Sequence, residues 1–224
     1  MHVPEADLRE RRASAYENPR PDVQRMVPEA DRRILDLGCS SGAVGAALRA
    51  ARSAEVVGVE ADPVYAERAG AVLDRVVCAD LEDLGSWTGQ VGEGFDCIVA
   101  ADVLEHLRDP WLVLSQAVTL LAPGGSVVVS LPNVRYFWAL GRLLLRDRWP
   151  RDPEGIFDAT HLRWFAAPDA RELVESAGLV VEQEAPQYRL RPGDWRTERA
   201  ATLLAHGPLR SLLTFQHVLR GRLS

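Results

Sequence analysis

Residues 33–62, RILDLGCSSGAVGAALRAARSAEVVGVEAD, decide the fold of this chain. A short apolar run at 33–37 leads into a glycine-containing turn, an alanine-rich stretch and a second apolar run at 56–60. Short, continuously apolar strands separated by a helical segment are typical of a parallel sheet covered on both faces. The segment therefore predicts a β-α-β unit with a glycine loop between its first strand and its helix.

The same alternation continues towards the C-terminus. Further apolar runs predict strands at 76–80, 95–101, 126–132, 179–185 and 214–222. Residues 85–94 are expected to form a loop. Helices are expected to begin near Leu104 and at Pro110, and to cover 167–177 and 194–212. Alternating elements of this kind predict a doubly wound α/β fold, in which ligands bind beyond the carboxyl ends of the strands.

Two segments depart from the alternation. Residues 1–30 are polar and interrupted by prolines, which predicts an N-terminal arm. Residues 133–165 contain three tryptophans and follow the fifth strand, so an insertion here is expected to lie over the strand ends as a helical lid. A length of 224 residues favours one domain, so we expect a single domain over 1–224.

Composition excludes several function classes. The formal charge is −6, which disfavours binding to nucleic acid through phosphates. All 26 basic residues are arginine, so Schiff-base chemistry, a lysine base and a Walker-type phosphate loop are excluded. Three widely spaced cysteines without a CxxC pair suit a reducing cytoplasm. The N-terminus lacks the apolar core of a signal peptide, and no apolar run is long enough for membrane insertion.

The first strand ends in a glycine loop that carries an acid: Asp36, Gly38, Ser40 and Gly42. Such a loop lets the backbone approach a nucleotide closely, but nicotinamide-dependent oxidoreductases share it. Asp36 would repel a pyrophosphate and suits a ligand with an ammonium and a sulfonium group. The dinucleotide pattern GxGxxG is also broken at Ser40. The alternative interpretation is a tight turn with a serine cap for the helix.

Two further acids follow the next two predicted strands. Glu60 ends the second strand, where a carboxylate can accept hydrogen bonds from both ribose hydroxyls. Asp80 ends the third strand, where it can accept an adenine amino hydrogen; alternatively, it caps the following helix. Three acids after three successive strands, together with the glycine loop, predict a cofactor site more strongly than any one of them.

This set of motifs resembles the class I S-adenosylmethionine-dependent methyltransferases. The resemblance covers roughly residues 14–185 and is carried by LDLGCSSG (35–42), GVEADP (58–63), CADLED (78–83), VLEHLRDP (103–110) and LAPGGSVVVSLPN (121–133). It implies a Rossmann-like, mostly parallel sheet of seven strands with an antiparallel last strand. It also implies that the N-terminal arm closes over cofactor and substrate, and that the cofactor contacts Tyr16, Ala61, Leu81 and Ala101 besides the loop and acids above.

Within that family, DVLEHLRDP (102–110) and DATHLRWF (158–165) resemble small-molecule enzymes of the ubiquinone pathway and of sugar and antibiotic tailoring. The resemblance implies S-adenosylmethionine as cofactor and a small-molecule substrate, with methyl transfer to a hydroxyl oxygen. The open alternatives are N- or C-methylation and a non-catalytic cofactor-binding partner subunit. We expect a monomer or homodimer in the cytoplasm.

Methylation of a hydroxyl benefits from a general base, and two histidines are candidates. His106 follows the fourth strand at the ligand end of the sheet, and His161 lies in the predicted lid. For His106 the alternative is contact with the methionine part of the cofactor without chemistry. For His161 it is a hydrogen bond that shapes the lid.

A divalent metal ion such as Mg is a further hypothesis. Asp102, Glu105 and His106 would share one helix face if a helix began by Asp102, and could hold an octahedral ion. A similar run in the ubiquinone-pathway enzymes is associated with a divalent metal. The alternative is that Asp102 caps the helix, Glu105 is solvated or meets Arg108, and His106 works alone or contacts the cofactor.

The C-terminal stretch from Arg189 to Arg222 holds seven arginines against two acids. This excess of cations favours an anionic substrate or carrier. Alternatively, the arginines lie on a solvated helix face.

Overall fold

The computed structural model describes residues 17–146, 149–191, 198–207 and 209–223. The predicted cofactor contact of Tyr16 lies outside the described residues, as does most of the predicted arm before residue 17. The strands are β1 (Arg33–Leu37), β2 (Glu55–Glu60), β3 (Arg75–Cys78), β4 (Phe95–Ala101), β5 (Leu121–Pro132), β6 (Leu179–Glu184), β7 (Gln187–Tyr188) and β8 (Thr214–Leu223). The α-helices are α1 (Pro21–Gln24), α2 (Ala43–Arg52), α3 (Pro63–Gly70), α4 (Leu84–Val91), α5 (Pro110–Val118), α6 (Phe137–Arg146), α7 (Ala167–Ser176), α8 (Glu198–Leu204) and α9 (Leu209–Leu213).

The strands form one sheet in the order β3-β2-β1-β4-β5-β8-β6, with β7 paired to β8. The first five strands are parallel, and β8 runs antiparallel to β5, β6 and β7. The mostly parallel sheet with an antiparallel last strand is confirmed, with the two-residue β7 as an addition to the seven predicted strands. The chain reverses its direction of travel across the sheet between β1 and β4, which places the ligand-binding crevice beside those strands.

Both faces of the sheet are covered, which confirms the doubly wound arrangement. One face packs against residues of α1, α2 and α3, among them Val23, Leu48 and Ala69. The other face packs against α4, α5 and α7, with Trp87 and Leu173 fully buried. Because both faces bury side chains, the inner strands are apolar at nearly every position.

Two local predictions were wrong. The segment 85–94 was expected to be a loop because of its glycines, but α4 occupies most of it. Trp87 and Val91 are 0% exposed and lie four residues apart on one helix face, so their burial outweighs the low helix propensity of glycine. The single helix expected at 194–212 is divided in two, because the chain turns at Gly207 with φ 52°.

The insertion at 133–165 consists of α6 and an irregular segment anchored to the sheet at both ends. Asn133 and Phe165 form a parallel bridge, and the Asn133 side chain donates to the carbonyls of Ser211 and Thr214, each at 2.8 Å. A small apolar cluster of Tyr136, Ala139, Ile156 and Phe157 lies inside the insertion. The insertion therefore has a core of its own, separate from the cores on the two sheet faces.

None of the helices in the described ranges is long and apolar enough to cross a lipid bilayer.

Candidate functional site

A cleft of about 1270 Å³ lies at the carboxyl ends of β1 and β4. Its walls come from the glycine loop, the residues after β4, the segment 18–25, the insertion and the segment 187–216. Among the predicted site residues, the cleft is lined by Asp36, Gly38, Ser40, Ala101, Asp102, Glu105, His106 and His161. The fold thus brings half of the predicted cofactor and catalytic residues to one cavity, while Gly42, Glu60, Ala61, Asp80 and Leu81 lie outside its lining.

The glycine loop is held by main-chain contacts. The amide of Cys39 donates to the Val59 carbonyl at 3.0 Å, and the amide of Gly42 donates to the Cys39 carbonyl at 2.8 Å. Gly38 has φ 66°, and a Cβ at this position would lie 2.5 Å from Cγ2 of Val103. Ser40 also adopts a left-handed φ of 49°, which explains why glycine is favoured at this place and why serine is slightly strained there.

Glu60 fastens the same loop from the neighbouring strand. Its Oε2 accepts the Ser40 amide hydrogen at 2.9 Å, and its Oε1 accepts the Asp62 amide hydrogen at 2.9 Å. Each carboxylate oxygen has a second lone pair, so these bonds leave acceptor capacity for ribose hydroxyls. The ribose role of Glu60 stays a prediction. Ala61 follows it on the exposed surface.

Asp80 and Leu81 follow β3 on the same edge of the sheet. Leu81 is buried, whereas Asp80 is exposed and accepts the Glu82 amide hydrogen at 2.9 Å. This bond closes a turn before α4, whose N-cap is Asp83, so the helix-capping alternative for Asp80 is wrong. The role of Asp80 towards an adenine amino group stays a prediction.

Asp36 is a buried carboxyl at the floor of the cleft. It is 3% exposed, and its Oδ2 has no hydrogen-bond partner in the described part of the chain. Burial and the nearby Glu60 carboxylate raise the pKa of Asp36 to about 7. A cationic ligand would favour the ionised form, because an opposite charge offsets the cost of burial.

His106 and His161 meet edge to face, with ring centroids 4.6 Å apart and planes at 77°. Thr160 bridges His106 to an acid: its Oγ1 lies 3.0 Å from His106 Nδ1 and donates to Asp158 Oδ1 at 2.7 Å. The threonine hydroxyl has one proton, so its oxygen accepts from Nδ1–H of His106. In this tautomer the lone pair of neutral His106 is on Nε2.

His161 is oriented by a backbone carbonyl. Its Nδ1 lies 3.0 Å from the Ile156 oxygen, which can only accept, so Nδ1 carries the proton. Its Nε2 lies 3.9 Å from Glu105 Oε1. The bond between His161 and the Ile156 carbonyl lies within the insertion, which fits the alternative role of shaping the lid. Through Nε2 the His161 ring also faces Glu105, which follows β4.

Glu105 is the most buried acid in this part of the cleft, at 1% exposed. Burial raises the pKa of Glu105 to about 8, and its Oε2 has no hydrogen-bond partner among the described residues. Ligand atoms of Glu105, His106 and His161 lie within 4.8 Å of one another. These three residues, rather than the predicted three, are the described group that could hold a metal ion.

The helix expected from Asp102 is absent, which corrects the predicted metal set. Asp102 has φ 55°, and only a single 3₁₀ turn follows, at Leu104–His106. Its carboxylate forms an ion pair with Arg20 and accepts a hydrogen bond from Gln216. Asp102 is therefore engaged by the N-terminal segment and β8, away from Glu105 and His106. The proposed pairing of Glu105 with Arg108 is also absent, since Glu105 is buried while Arg108 pairs with Glu82.

Sequence reasoning missed several residues of the cleft. Arg20 is 11% exposed and contacts Asp22, Ser130 and Asp102. Thr160 and Asp158 orient His106. Both lie in the DATHLRWF run, in which only His161 was predicted as a catalytic residue. No periodic pattern marks such residues, because their partners lie far away in the chain.

Comparisons with known proteins agree with the architecture. A family model described as a methyltransferase domain matches residues 8–184. The chain belongs to this methyltransferase domain family. The methyltransferase domain is 32% identical over 169 residues to a ubiquinone biosynthesis O-methyltransferase of Cereibacter sphaeroides, covering 70% of this chain and 64% of that protein. It is 40% identical over 113 residues to a trans-aconitate 2-methyltransferase of Methylobacterium radiotolerans, covering 50% of this chain and 42% of that protein.

The chain thus spans less than two thirds of the length of both curated relatives. Among solved structures, the methyltransferase domain is similar to an S-adenosylmethionine-dependent methyltransferase of Thermotoga maritima, described as a possible histamine N-methyltransferase. The TM-score is 0.68 at 18% sequence identity, with 98% of this chain and 96% of that chain covered. At this identity the likeness shows a shared fold.

Proposed function

We propose that this protein transfers a methyl group from S-adenosylmethionine to a hydroxyl oxygen of a small molecule. One observation carries the proposal: the same cleft holds an acid-flanked glycine loop and a histidine whose tautomer is set by a Thr160–Asp158 relay. The first feature suits the cofactor, and the second suits an acceptor that must lose a proton.

The residues of the loop side fit S-adenosylmethionine. The unpartnered Oδ2 of Asp36 offers a carboxylate to a cationic group, and Glu60 has acceptor capacity for ribose. Gly38 lines the cleft with φ 66°, a conformation that glycine adopts without strain. When bound, S-adenosylmethionine supplies an electrophilic methyl group on a sulfonium. The protein then has mainly to align the acceptor with that methyl group.

His106 is the general base in this proposal. Its Nε2 would accept the hydroxyl proton while the acceptor oxygen gains the methyl group; the carbon–sulfur bond of the sulfonium would break, and S-adenosylhomocysteine would leave with that electron pair. The Thr160 hydroxyl and the Asp158 carboxylate hold the ring and stabilise the imidazolium that forms, in the way an acid orients the histidine of a hydrolytic triad. His161 positions Glu105 and the end of the insertion against His106.

The proposal also assigns roles to the segments around the cleft. Residues 1–224 form one methyltransferase domain, the N-terminal arm at 1–30 covers the cofactor, and the insertion at 133–165 is a lid over the acceptor. Arg20 supports the arm, because it binds Asp102 after β4 and Ser130 in β5. The amides of Leu162 and Arg163 support the lid, since both donate to the Glu105 carbonyl, at 2.9 and 3.1 Å.

The decisive experiment uses S-adenosylmethionine labelled with carbon-13 at the methyl group. The enzyme is incubated with an extract of small molecules from its source, and labelled products are identified by NMR and mass spectrometry. An O-methyl product is expected. A labelled N- or C-methyl product would replace the hydroxyl acceptor, and tight S-adenosylmethionine binding without any labelled product would favour the non-catalytic partner subunit.

A divalent cation is a second candidate for activating the acceptor. Glu105, His106 and His161 would hold it, and the unpartnered Oε2 of Glu105 supports this set. A cation here would lower the pKa of a bound hydroxyl and reduce the need for a base. The test is turnover after chelation, with magnesium, manganese and zinc restored separately. Full activity of the chelated enzyme would leave His106 as the base.

A further inference from the structure

Arg189 is a half-buried cation with an unusual environment. It follows β7 and lines the cleft, and its Cζ lies 4.3 Å from the centroid of the Phe215 ring. No carboxylate of the described residues forms an ion pair or hydrogen bond with its guanidinium. Burial and the nearby Arg20 lower the pKa of Arg189. Asp22 and Glu198 attract this cation without forming an ion pair or hydrogen bond with it among the described residues. Its partly desolvated N–H donors therefore suit an anionic ligand.

Arg20 and Arg142, two other arginines of the cleft, differ from Arg189 in having acid partners. The guanidinium of Arg20 binds Asp22 through Nε at 3.0 Å and Nη2 at 2.8 Å, and also pairs with Asp102. Arg142 pairs with Asp152. Asp22, Asp102 and Asp152 are therefore each paired with another arginine. Asp22 in particular is held by Arg20 rather than by Arg189.

Tyr136 provides a second polar group next to the same ring. Its ring meets Phe215 edge to face at 5.5 Å, with the planes at 89°. The residue is 0% exposed and lines the cleft, and its hydroxyl has no hydrogen-bond partner among the described residues. Burial raises the pKa of Tyr136 to about 12, so the hydroxyl keeps its proton and is a donor at neutral pH. A buried hydroxyl without a partner costs free energy, which an accepting ligand would recover.

We propose that Arg189 and Tyr136, which both contact the Phe215 ring, bind the carboxylate of an aromatic methyl acceptor. The guanidinium gives two parallel N–H donors that match a carboxylate, and the tyrosine hydroxyl gives a third. The aromatic body of the acceptor packs against Phe215 and Trp138, which both line the cleft. The inference rests on the proposed function, because it takes this cleft to be the acceptor site.

The remaining arginines of the C-terminal stretch do not form such a site in the described residues. Arg220 and Arg222 both bind Glu182, at 2.6 and 3.0 Å, and Arg210 donates to the Tyr188 hydroxyl at 3.1 Å. Among the described arginines of this cationic stretch, Arg189 is the one that lines the cleft.

The test is a ligand-detected NMR titration with benzoate and with benzamide, which has the same shape without the charge. Acetate and inorganic phosphate serve as anions without an aromatic ring. We expect benzoate to bind at least about tenfold more tightly than benzamide, acetate or phosphate, on the scale of charge-assisted hydrogen bonds. In Arg189→Met, benzoate should lose about ten- to a hundredfold in affinity, while benzamide changes less than about twofold.

Two further variants sharpen the test. Tyr136→Phe removes only the hydroxyl and should weaken benzoate about three- to tenfold, the range of a neutral hydrogen bond. Arg191→Met is the matched control, because it removes the same charge from an exposed residue of the same segment. It should leave benzoate affinity unchanged. An unchanged benzoate affinity in Arg189→Met would overturn the subsite, as would an equal loss in Arg191→Met or in Arg25→Met, which alters another cleft arginine.

The same variants separate this inference from the proposed function. S-adenosylhomocysteine affinity is measured by calorimetry in each of them and should stay at the wild-type level, which also shows that the variants fold. If S-adenosylhomocysteine fails to bind the wild type while Arg189-dependent benzoate binding persists, the methyltransferase proposal falls and the anion subsite stands. The reverse result leaves the methyltransferase proposal and removes the subsite.

Discussion

The two halves of the cleft are built in different ways. The loop half comes from residues 36–42 and Glu60, which are close in the chain, and its contacts are largely backbone amides donating to backbone or to one carboxylate. The acceptor half gathers side chains from distant segments, among them His106, Thr160 and Arg189.

The difference predicts how each half responds to mutation. Backbone contacts survive most side-chain changes but demand particular φ angles, so the loop half is sensitive at glycines and at the single carboxylate that fastens it. Side-chain contacts vanish with one substitution and leave the backbone intact, so the acceptor half should lose chemistry without losing the cofactor. Four substitutions test this contrast, in order of decreasing effect.

His106→Gln should lower kcat by about 10²–10⁴-fold, the contribution of a general base, while S-adenosylmethionine affinity stays within about twofold. Steady-state turnover and calorimetric titration measure the two halves independently. His206→Gln, on an exposed histidine, is the matched control and should keep wild-type turnover. Wild-type turnover in His106→Gln would end both the base and the metal roles of this residue.

Glu60→Ala should weaken S-adenosylmethionine binding by roughly 1.5–3 kcal/mol, because it removes a charge-assisted acceptor and leaves the Ser40 and Asp62 amides without their partner. Calorimetric titration gives the affinity. Glu67→Ala, on an exposed acid of α3, removes the same charge and should change the affinity by less than about twofold. An unchanged affinity in a folded Glu60→Ala protein would remove Glu60 from the cofactor site.

Asp36 should make cofactor affinity depend on pH. Its pKa is raised to about 7, and a cationic ligand binds the ionised form, so the affinity for S-adenosylmethionine should fall about tenfold per pH unit below pH 7. Calorimetric titrations between pH 5 and 8 measure this slope, which Asp36→Asn should abolish. An equal slope in the variant would assign the pH dependence to another group.

In the ligand-free protein Asp36 should make the free energy of unfolding fall with rising pH, whereas it makes the cofactor affinity rise. The pKa of Asp36 is higher in the folded than in the unfolded chain, so its contribution to stability is complete below about pH 4. That contribution is lost as the pH rises through about 7. Denaturant unfolding between about pH 4 and 7 measures this loss. The free energy of unfolding of the wild type, relative to that of Asp36→Asn, should fall as the pH rises.

Ser40→Gly should have the smallest effect, changing the free energy of unfolding by less than about 1 kcal/mol. Glycine relieves the left-handed φ of 49°, but it also raises the entropy of the unfolded chain. Gly38→Ala is the contrasting variant, because its Cβ would lie 2.5 Å from Val103. Denaturant unfolding should show Gly38→Ala as the less stable of the two, and equal stabilities would contradict the backbone account of the loop.

The sequence predicted the loop half of the cleft better than the acceptor half. Asp36, Gly38 and Ser40 line the cleft and Glu60 accepts from the Ser40 amide, because each lies at or just after the carboxyl end of a parallel strand. For the metal hypothesis the spacing of Asp102 and Glu105 was misleading, since a left-handed residue replaced the expected helix. The spacing of two residues predicts that their side chains share a face only where the predicted helix or strand is actually formed.

The doubly wound fold and the acid-flanked loop were determined by the sequence itself, whereas the strand order that places the switch point beside β1 came from the structure. Apolar periodicity and glycine placement are properties of neighbouring residues, so they can be read without knowing what lies across the molecule. The pairing of Thr160 with His106, of Arg20 with Asp102 and of Arg189 with the Phe215 ring was decided only by the tertiary structure. Each of those contacts joins segments far apart in the chain, and their meeting depends on how the insertion and β8 pack against the strand ends.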